Sequence, residues 1–389
     1  MSAHVIHSAR LVTDGRITRN AWVRFEGDTI GDVGTGDEWR VSVAGDEPDA
    51  VTDADGAWLT PGFVDIHVHG GAGASFDDGS ASIRTALDLH RRHGTTRLVV
   101  SLVTAPLDAL ATRVAAVAEL MREEPGILGS HLEGPFLDPG HKGAHDPAFL
   151  RTAERRDVEA LLVAADGTLR QVTLAPERPG GLDAIRAFTG AGVAVAVGHT
   201  AADYDQALAA FDAGARILTH AFNGMEGIHH RAPGPVAAAT RTRGVTLEVI
   251  NDGVHVHPEV VRMAFSAAPG RIALITDAMA AAGSSDGDYV LGSLAVEVRD
   301  GVARLAGGGS IAGSTLTLDH ALRRAVTEVG IPIEDAVRAV TETPAAAIGR
   351  ADLGRLAPGH PADAVLLDDD FRVLQVYASG VPVSVPARR

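Results

Sequence analysis

The sequence holds no cysteine, so neither a disulfide framework nor thiolate chemistry is open to it. Lysine is nearly absent as well. Lys142 stands alone and every other fixed cation is an arginine, which closes any mechanism that needs a lysine elsewhere. No apolar run approaches the length of a membrane span. The segment Met1 to Arg10 lacks the basic stretch and apolar core of a secretory signal, and together with the missing cysteines this fits a cytoplasmic location. Positive charge is short overall. The formal net charge of −16 argues against nucleic acid and anionic membranes as partners, because phosphate backbones are bound by positive surfaces. A small anionic substrate remains possible, since it needs only a local basic pocket.

What is present is the make-up of a globular enzyme: 46% of the residues are apolar, enough for one large domain or two. Two textures divide the chain. Residues 1–58 read as short strands parted by Gly and Asp, at 5–6, 10–12, 21–25, 29–33 and 57–59, and residues 350–389 have the same character, at 363–367, 372–377 and 381–385. Between them, residues 59–349 alternate apolar strands with helical patterns. The predicted strands are 63–69, 96–103, 127–133, 171–177, 194–199, 217–221, 246–251 and 272–277. The helical patterns include 82–93, 107–122, 158–165, 182–191, 202–213 and 258–267. Eight such repeats over about 280 residues predict an α/β fold, a closed (β/α)8 TIM-like barrel rather than an open doubly wound sheet. The two terminal segments are expected to pair as a small β-sandwich domain. Alternation over 289–306, broken at Asp300-Gly301, predicts a β-hairpin inserted near 288–307. The run Gly307-Gly308-Gly309-Ser310 lacks the ending of a phosphate-binding P-loop and reads as a mobile loop.

Chemistry in such a barrel gathers at the C-terminal ends of the strands. In the first predicted strand His67 and His69 alternate with Val64, Ile66 and Val68, so both imidazoles leave one face, roughly 7 Å apart. Two neutral imidazoles at a strand end are a common hold for a divalent metal. Glu133 ends the third strand, His199 the fifth, His220 the sixth and Asp277 the eighth. Each alone has an ordinary reading, as a core histidine, an arginine's partner or a helix cap. Together they would converge on one mouth, which predicts a metal site. Nitrogen and oxygen donors without sulfur suit Zn²⁺, with Fe²⁺, Mn²⁺ or Co²⁺ accepting the same set. A Lewis-acidic ion brings the pKa of water toward neutrality, and Asp277 is the carboxylate to take and return a proton. Metal-assisted hydrolysis of an amide-like bond is therefore expected. Loops beyond the strands carry Lys142-Gly-Ala-His145, Asn223-Gly224, Arg231 and Asn251-Asp-Gly-Val-His255, the residue types that hold a phosphate or carboxylate. Arg231 alone reads as a surface arginine.

The stretch Pro61-Gly-Phe-Val-Asp-Ile-His-Val-His69 resembles the first-strand signature of the amidohydrolase superfamily. With His131-Leu-Glu-Gly-Pro-Phe136, Lys142-Gly-Ala-His145, Gly198-His-Thr200, Thr219-His-Ala-Phe-Asn-Gly-Met225, Asn251-Asp-Gly-Val-His255, Thr276-Asp-Ala278 and Ile311-Ala-Gly-Ser314, the chain is similar to the N-acetylglucosamine-6-phosphate deacetylase family. The resemblance implies hydrolysis of N-acetyl-D-glucosamine 6-phosphate to D-glucosamine 6-phosphate and acetate, in amino-sugar catabolism and cell-wall recycling. It implies that Glu133, His199 and His220 bind the principal metal, and that His67 and His69 allow a second, with Glu133 bridging; one or two ions per subunit follow. Asp277 would be the proton acceptor and donor. His145 would polarise the acetyl carbonyl, and Ala144 would line the sugar. Asn223, Gly224, Arg231 and His255 would hold the sugar phosphate, and Ile311, Ala312 and Gly313 would close over the substrate. A homodimer is also implied, with Arg231 reaching the neighbouring subunit's site. Relatives that bridge their metals with a carboxylated lysine at the fourth strand are excluded, since this chain has Glu177 or its neighbours there and no lysine. Two rivals remain. One is an amidohydrolase deacylating another N-acyl sugar or an N-acyl amino acid, which would be indifferent to the 6-phosphate. The other is a non-catalytic scaffold on the same barrel, which predicts a damaged ligand set, whereas here every position is filled.

Overall fold

The computed structural model describes residues 3–42, 48–307 and 309–385. Eight strands, Phe63–Val68, Thr95–Val103, Ile127–Glu133, Leu169–Leu174, Ala194–Val197, Ile217–Leu218, Thr246–Ile250 and Ile272–Ile275, run parallel and neighbour one another in chain order. Their residues are buried on both faces, as in Thr95–Val103, where all nine are inaccessible; helices on one side and a filled interior on the other leave no face for solvent. The seam between the last and first strands closes just beyond their ladders. Asp277 N–H donates to His67 O at 2.8 Å and His69 N–H to Ala278 O at 2.8 Å. Beneath these bonds the buried Asp65 carboxylate accepts the Thr276 hydroxyl at 2.6 Å and the His67 N–H at 3.2 Å. The expected closed barrel is thus present.

The surrounding helices follow from their patterns. Ser80–Arg92 buries Ile83, Ala86, Leu87 and His90 along one stripe and ends on Arg91 and Arg92, which complement the helix dipole. Tyr204–Ala213 opens with a capping box between Asp203 and Gln206. Helix Gly234–Arg241 follows the sixth strand, and helices Leu318–Arg324, Ile333–Val340 and Glu342–Ala347 follow the eighth. None of the helices is long and apolar enough to cross a membrane among the described residues.

The terminal segments meet in a second sheet, ordered Val381–Val383, Val373–Ala378, Ala364–Leu367, Trp58–Pro61, Ala3–Thr13, Arg16–Glu26 and Thr29–Thr35, with Ala50–Asp53 added beside Ala3–Thr13. The sheet folds over on itself: the rings of Phe25 and Tyr377 lie 5.5 Å apart although three strands separate theirs in the pairing order. The two inner faces enclose a core of Ile6, Leu11, Val23, Phe25, Ile30, Leu59 and Leu366. Trp58–Pro61, at the expected domain border, pairs with Ala364–Leu367 and so belongs to this sheet. A buried ion pair joins the two bodies, with Arg97 Nε 2.5 Å and Nη2 3.2 Å from the Asp363 carboxylate.

The insertion after the eighth strand differs from its prediction. It is a three-stranded meander, Gly287–Leu291, Leu294–Arg299 and Val302–Leu305, rather than one hairpin. A tight turn at Gly292-Ser293 adds a reversal that alternation alone does not reveal, because the pattern continues in phase across it. Gly308, within the predicted mobile loop, lies outside the described residues.

Candidate metal centre and active site

Strands five, six and eight stop short of the positions predicted for them, and the residues at which they would have ended are the candidate ligands. His199, His220 and Asp277 have φ of 47°, 23° and 48°. A non-glycine residue in this left-handed region costs on the order of 1–3 kcal/mol, and here it breaks the strand and swings the side chain into the barrel mouth. The loop Ile311 to Ser314 is drawn against the same place: Ser314 N–H donates to Asp277 O at 2.7 Å. Gly313, at φ 65°, permits this approach, since a Cβ there would stand 2.9 Å from that same carbonyl.

The predicted ligands come together around Glu133. Its Oε1 lies 3.3 Å from His67 Nε2, 3.1 Å from His199 Nε2 and 3.2 Å from His220 Nε2; its Oε2 lies 3.2 Å from His69 Nε2 and 3.3 Å from His145 Nε2. Asp277 Oδ1 is 3.3 Å from His69 Nε2 and 3.5 Å from His67 Nε2. Two groups have the spacing of ion sites and share Glu133: His67, His69, Glu133 and Asp277, and Glu133, His145 and His199. His145 thus stands within the ligand cluster, closer to the ion positions than a purely carbonyl-polarising role requires.

The protonation pattern tests whether a cation fits. His199 Nδ1 is 2.8 Å from the His141 carbonyl and His220 Nδ1 is 3.1 Å from the Asn223 carbonyl. A carbonyl only accepts, so each Nδ1 carries a proton, and it is Nε2 of each ring that is turned toward Glu133. Those two Nε2 atoms are 3.0 Å apart, an approach that repels unless positive charge lies against both. His67 Nε2, buried, has no hydrogen-bond partner. Burial pushes the Glu133 carboxylate up, but the adjoining His67 and His145 outweigh this and hold it well below the usual carboxylate range. The cluster thus keeps its central acid ionised, in reach of five imidazole nitrogens. A divalent ion with nitrogen and oxygen donors fits these residues.

Above the cluster opens a cavity of about 390 Å³, lined among others by Ala144, His145, Asn223, Gly224, His255, Asp277, Ile311 and Gly313. Two predicted substrate residues are not brought to it. The Ala312 methyl packs with Val103, Met279 and Leu291 under the meander, and Arg231 is exposed outside the cavity lining. At the cavity's edge the Asp252 carboxylate, 2.7 Å from His255 Nδ1, raises that imidazole above its ordinary range although burial opposes it. Three residues were missed in the sequence. His141 lines the cavity, with Nδ1 2.9 Å from Asp138. Glu248 and Gln171 lie wholly buried in the seventh and fourth strands, with Gln171 Nε2 2.7 Å from Glu248 Oε1. Their signal was there: an acid and an amide inside otherwise apolar strands. Glu177 turns away from the mouth and holds Thr200 and the Ala201 N–H.

A TIM-like barrel with imidazoles and carboxylates converging at its C-terminal mouth defines a hydrolase of the divalent-metal class. The amidohydrolase family profile matches residues 58–383. The chain is 42% identical over 338 residues to an N-acetylgalactosamine-6-phosphate deacetylase of Escherichia coli O157:H7, covering 86% of this chain and 89% of that one. It is 38% identical over 327 residues to an N-acetylglucosamine-6-phosphate deacetylase of Vibrio furnissii, covering 83% and 82%. Among solved structures, an N-acetyl-D-glucosamine-6-phosphate deacetylase mutant from Mycobacterium smegmatis, in complex with N-acetyl-D-glucosamine-6-phosphate, superposes with a TM-score of 0.93 at 42% identity, over 99% of this chain and 100% of that one. The chain belongs to the amidohydrolase family, and within it to the N-acetylglucosamine-6-phosphate deacetylases.

Proposed function

We propose that this protein hydrolyses N-acetyl-D-glucosamine 6-phosphate to D-glucosamine 6-phosphate and acetate. The observation that carries the reading is the cluster about Glu133, opening into a cavity whose far edge bears the Asp252-supported His255. Glu133, His199 and His220 would hold the principal ion, with His67 and His69 providing a second position; zinc suits the donor set. When bound, the ion supplies Lewis acidity, which makes water nucleophilic near neutral pH and polarises a carbonyl. Asp277 accepts the proton of the attacking water and delivers it to the departing amine nitrogen. His145 stabilises negative charge developing on the acetyl oxygen. The phosphate is met by His255, whose raised pKa favours its charged form, and by Asn223 and the Gly224 backbone. Ile311 and Gly313 border the sugar.

Arg231 supports a homodimer. It is exposed and lies outside its own chain's cavity lining, which leaves it free for the proposed role of completing the phosphate site of a neighbour. Arg231→Ala should raise KM for the phosphorylated sugar several-fold and leave kcat nearly unchanged; an unaltered KM, or a monomer in sedimentation, defeats this part. The chain acts in the cytoplasm, where phosphorylated sugars are held.

The decisive assay follows acetate release from N-acetylglucosamine 6-phosphate, its galactosamine epimer and unphosphorylated N-acetylglucosamine, with wild type and Asp277→Asn. The similarity to the Escherichia coli enzyme makes the epimer a necessary arm. Asp277→Asn should lower kcat by roughly 10²–10⁴-fold. Equal turnover with and without the phosphate, or full activity of the variant, would falsify the assigned roles.

A further inference from the structure

Glu248 stands in the middle of the seventh barrel strand, wholly inaccessible to solvent, and the reaction above gives it no part. A carboxylate stripped of water is costly unless its oxygens are bonded, and three other strands bond these. From strand one, His67 Nδ1 lies 3.1 Å from Oε2; from the end of strand six, the His220 N–H points to Oε2 at 3.3 Å; from strand four, the Gln171 amide donates to Oε1 at 2.7 Å. An ionised carboxylate only accepts, so the bridging proton belongs to His67 Nδ1 and the Nε2 lone pair is left facing Glu133 and Asp277.

The other histidines of the cluster lack this support. His199 and His220 rest their Nδ1 on neutral backbone carbonyls, while the Nδ1 atoms of His69 and His145 have no partner among the described residues. His67 is the cluster histidine whose Nδ1 lies within hydrogen-bond distance of a carboxylate, which both fixes its tautomer and makes its outward nitrogen a stronger donor. We propose that Glu248, aimed by Gln171, is the positioning residue that makes His67 a ligand and so decides whether the ion position formed by His67, His69, Glu133 and Asp277 fills. At the position of Glu133, His199 and His220 the only contact of Glu248 is the 3.3 Å bond from the His220 backbone N–H, while the His220 ring is held separately by the Asn223 carbonyl. This inference rests on the metal reading above.

Zn²⁺ alone is the probe, titrated into metal-stripped protein by calorimetry, with bound zinc counted after dialysis. Wild type should take two ions per chain. Glu248→Met, close in size and without a strong acceptor, should weaken one of the two by at least 10–100-fold and the other, reached only through the His220 backbone N–H, far less. Glu248→Gln, which keeps an acceptor, should fall between. The ¹⁵N spectrum of zinc-loaded, histidine-labelled protein, with His67 assigned through His67→Asn, should have the His67 proton on Nδ1 in wild type and on Nε2 in Glu248→Met. If Glu248→Met does not fold, Glu248→Gln and Gln171→Met carry the same test, each with a partial, one-site loss. A Glu248 that merely braces the barrel would change thermal stability without a selective loss of one zinc or a moved proton. Variants that match wild type in both readouts, or a wild type with a single zinc, overturn the role of Glu248. A wild type that binds no zinc overturns the metal reading itself.

Discussion

Glu133 is the residue on which the cluster turns, because it contributes both oxygens to opposite sides of the mouth: Oε1 toward His67, His199 and His220, Oε2 toward His69 and His145. A carboxylate spread in this way would be placed to bridge two ions, were both positions filled. The pair His67 and His69 then has a defined consequence. Replacing both with Asn should lower the zinc bound per chain, as measured by mass spectrometry of dialysed protein, while the position of Glu133, His199 and His220 continues to fill. An unchanged zinc content would make the two histidines supports for the ligands rather than ligands. Asp277 shares their side of the cluster, so the proposed proton carrier and the proposed second ion position would draw on the same strand ends.

At the level of elements, the mouth is shaped by what lies beneath and behind the strands. Helix Ser80–Arg92 sends His90 under the first strand's end, where its Nε2 bonds the Gly70 carbonyl at 2.9 Å. Burial lowers the His90 pKa to about 4. Below about pH 6.5 the unfolded chain binds a proton at this residue that the folded chain refuses. Folding stability contributed here is therefore whole above pH 6.5, declines as the pH falls toward 4, and levels off below that. The decline amounts to roughly 3 kcal/mol for the fully buried ring. His90→Gln, which keeps a donor but does not titrate, should flatten this limb of the stability profile in urea titrations from pH 7 to 4; an identical acid limb in the variant would refute the assignment. The meander Gly287–Leu291, Leu294–Arg299 and Val302–Leu305 acts from the other side. Its Leu291, with Val103, lines the cavity from that side.

On the scale of the whole molecule, two bodies share one chain whose ends return to the same sheet. Their junction is specific: Arg97, from the second barrel strand, is bound through two nitrogens to Asp363, which also accepts the Ser379 N–H at 2.7 Å. Removing one member of a buried pair strands the other without water. Arg97→Met should cost about 3–5 kcal/mol of stability in chemical denaturation, with the metal cluster intact in the protein that remains folded. A loss below 1 kcal/mol would mean that the junction is held by the apolar packing alone.

Much of this was legible along the chain. The eight-fold strand and helix rhythm carried the barrel, because parallel strands covered on both faces must be continuously apolar. Polar residues closing such strands stood out against that background, and they marked His67, His69, Glu133, His199, His220 and Asp277 before any geometry was known. The sequence by itself therefore determined the architecture and most members of the buried His/Glu/Asp cluster, His145 being added to it only by the fold. Tertiary structure decided how those members act together. Where strands five, six and eight end depends on the left-handed turns at His199, His220 and Asp277, which local patterning does not encode. The second reversal in the inserted meander was hidden for the same reason. Glu248 supports His67 across 181 residues of sequence, and Arg97 meets Asp363 across 266. Such pairings arise when the barrel closes and when the terminal sheet docks. They depend on distance in space, which a one-dimensional pattern of apolar and polar residues cannot carry.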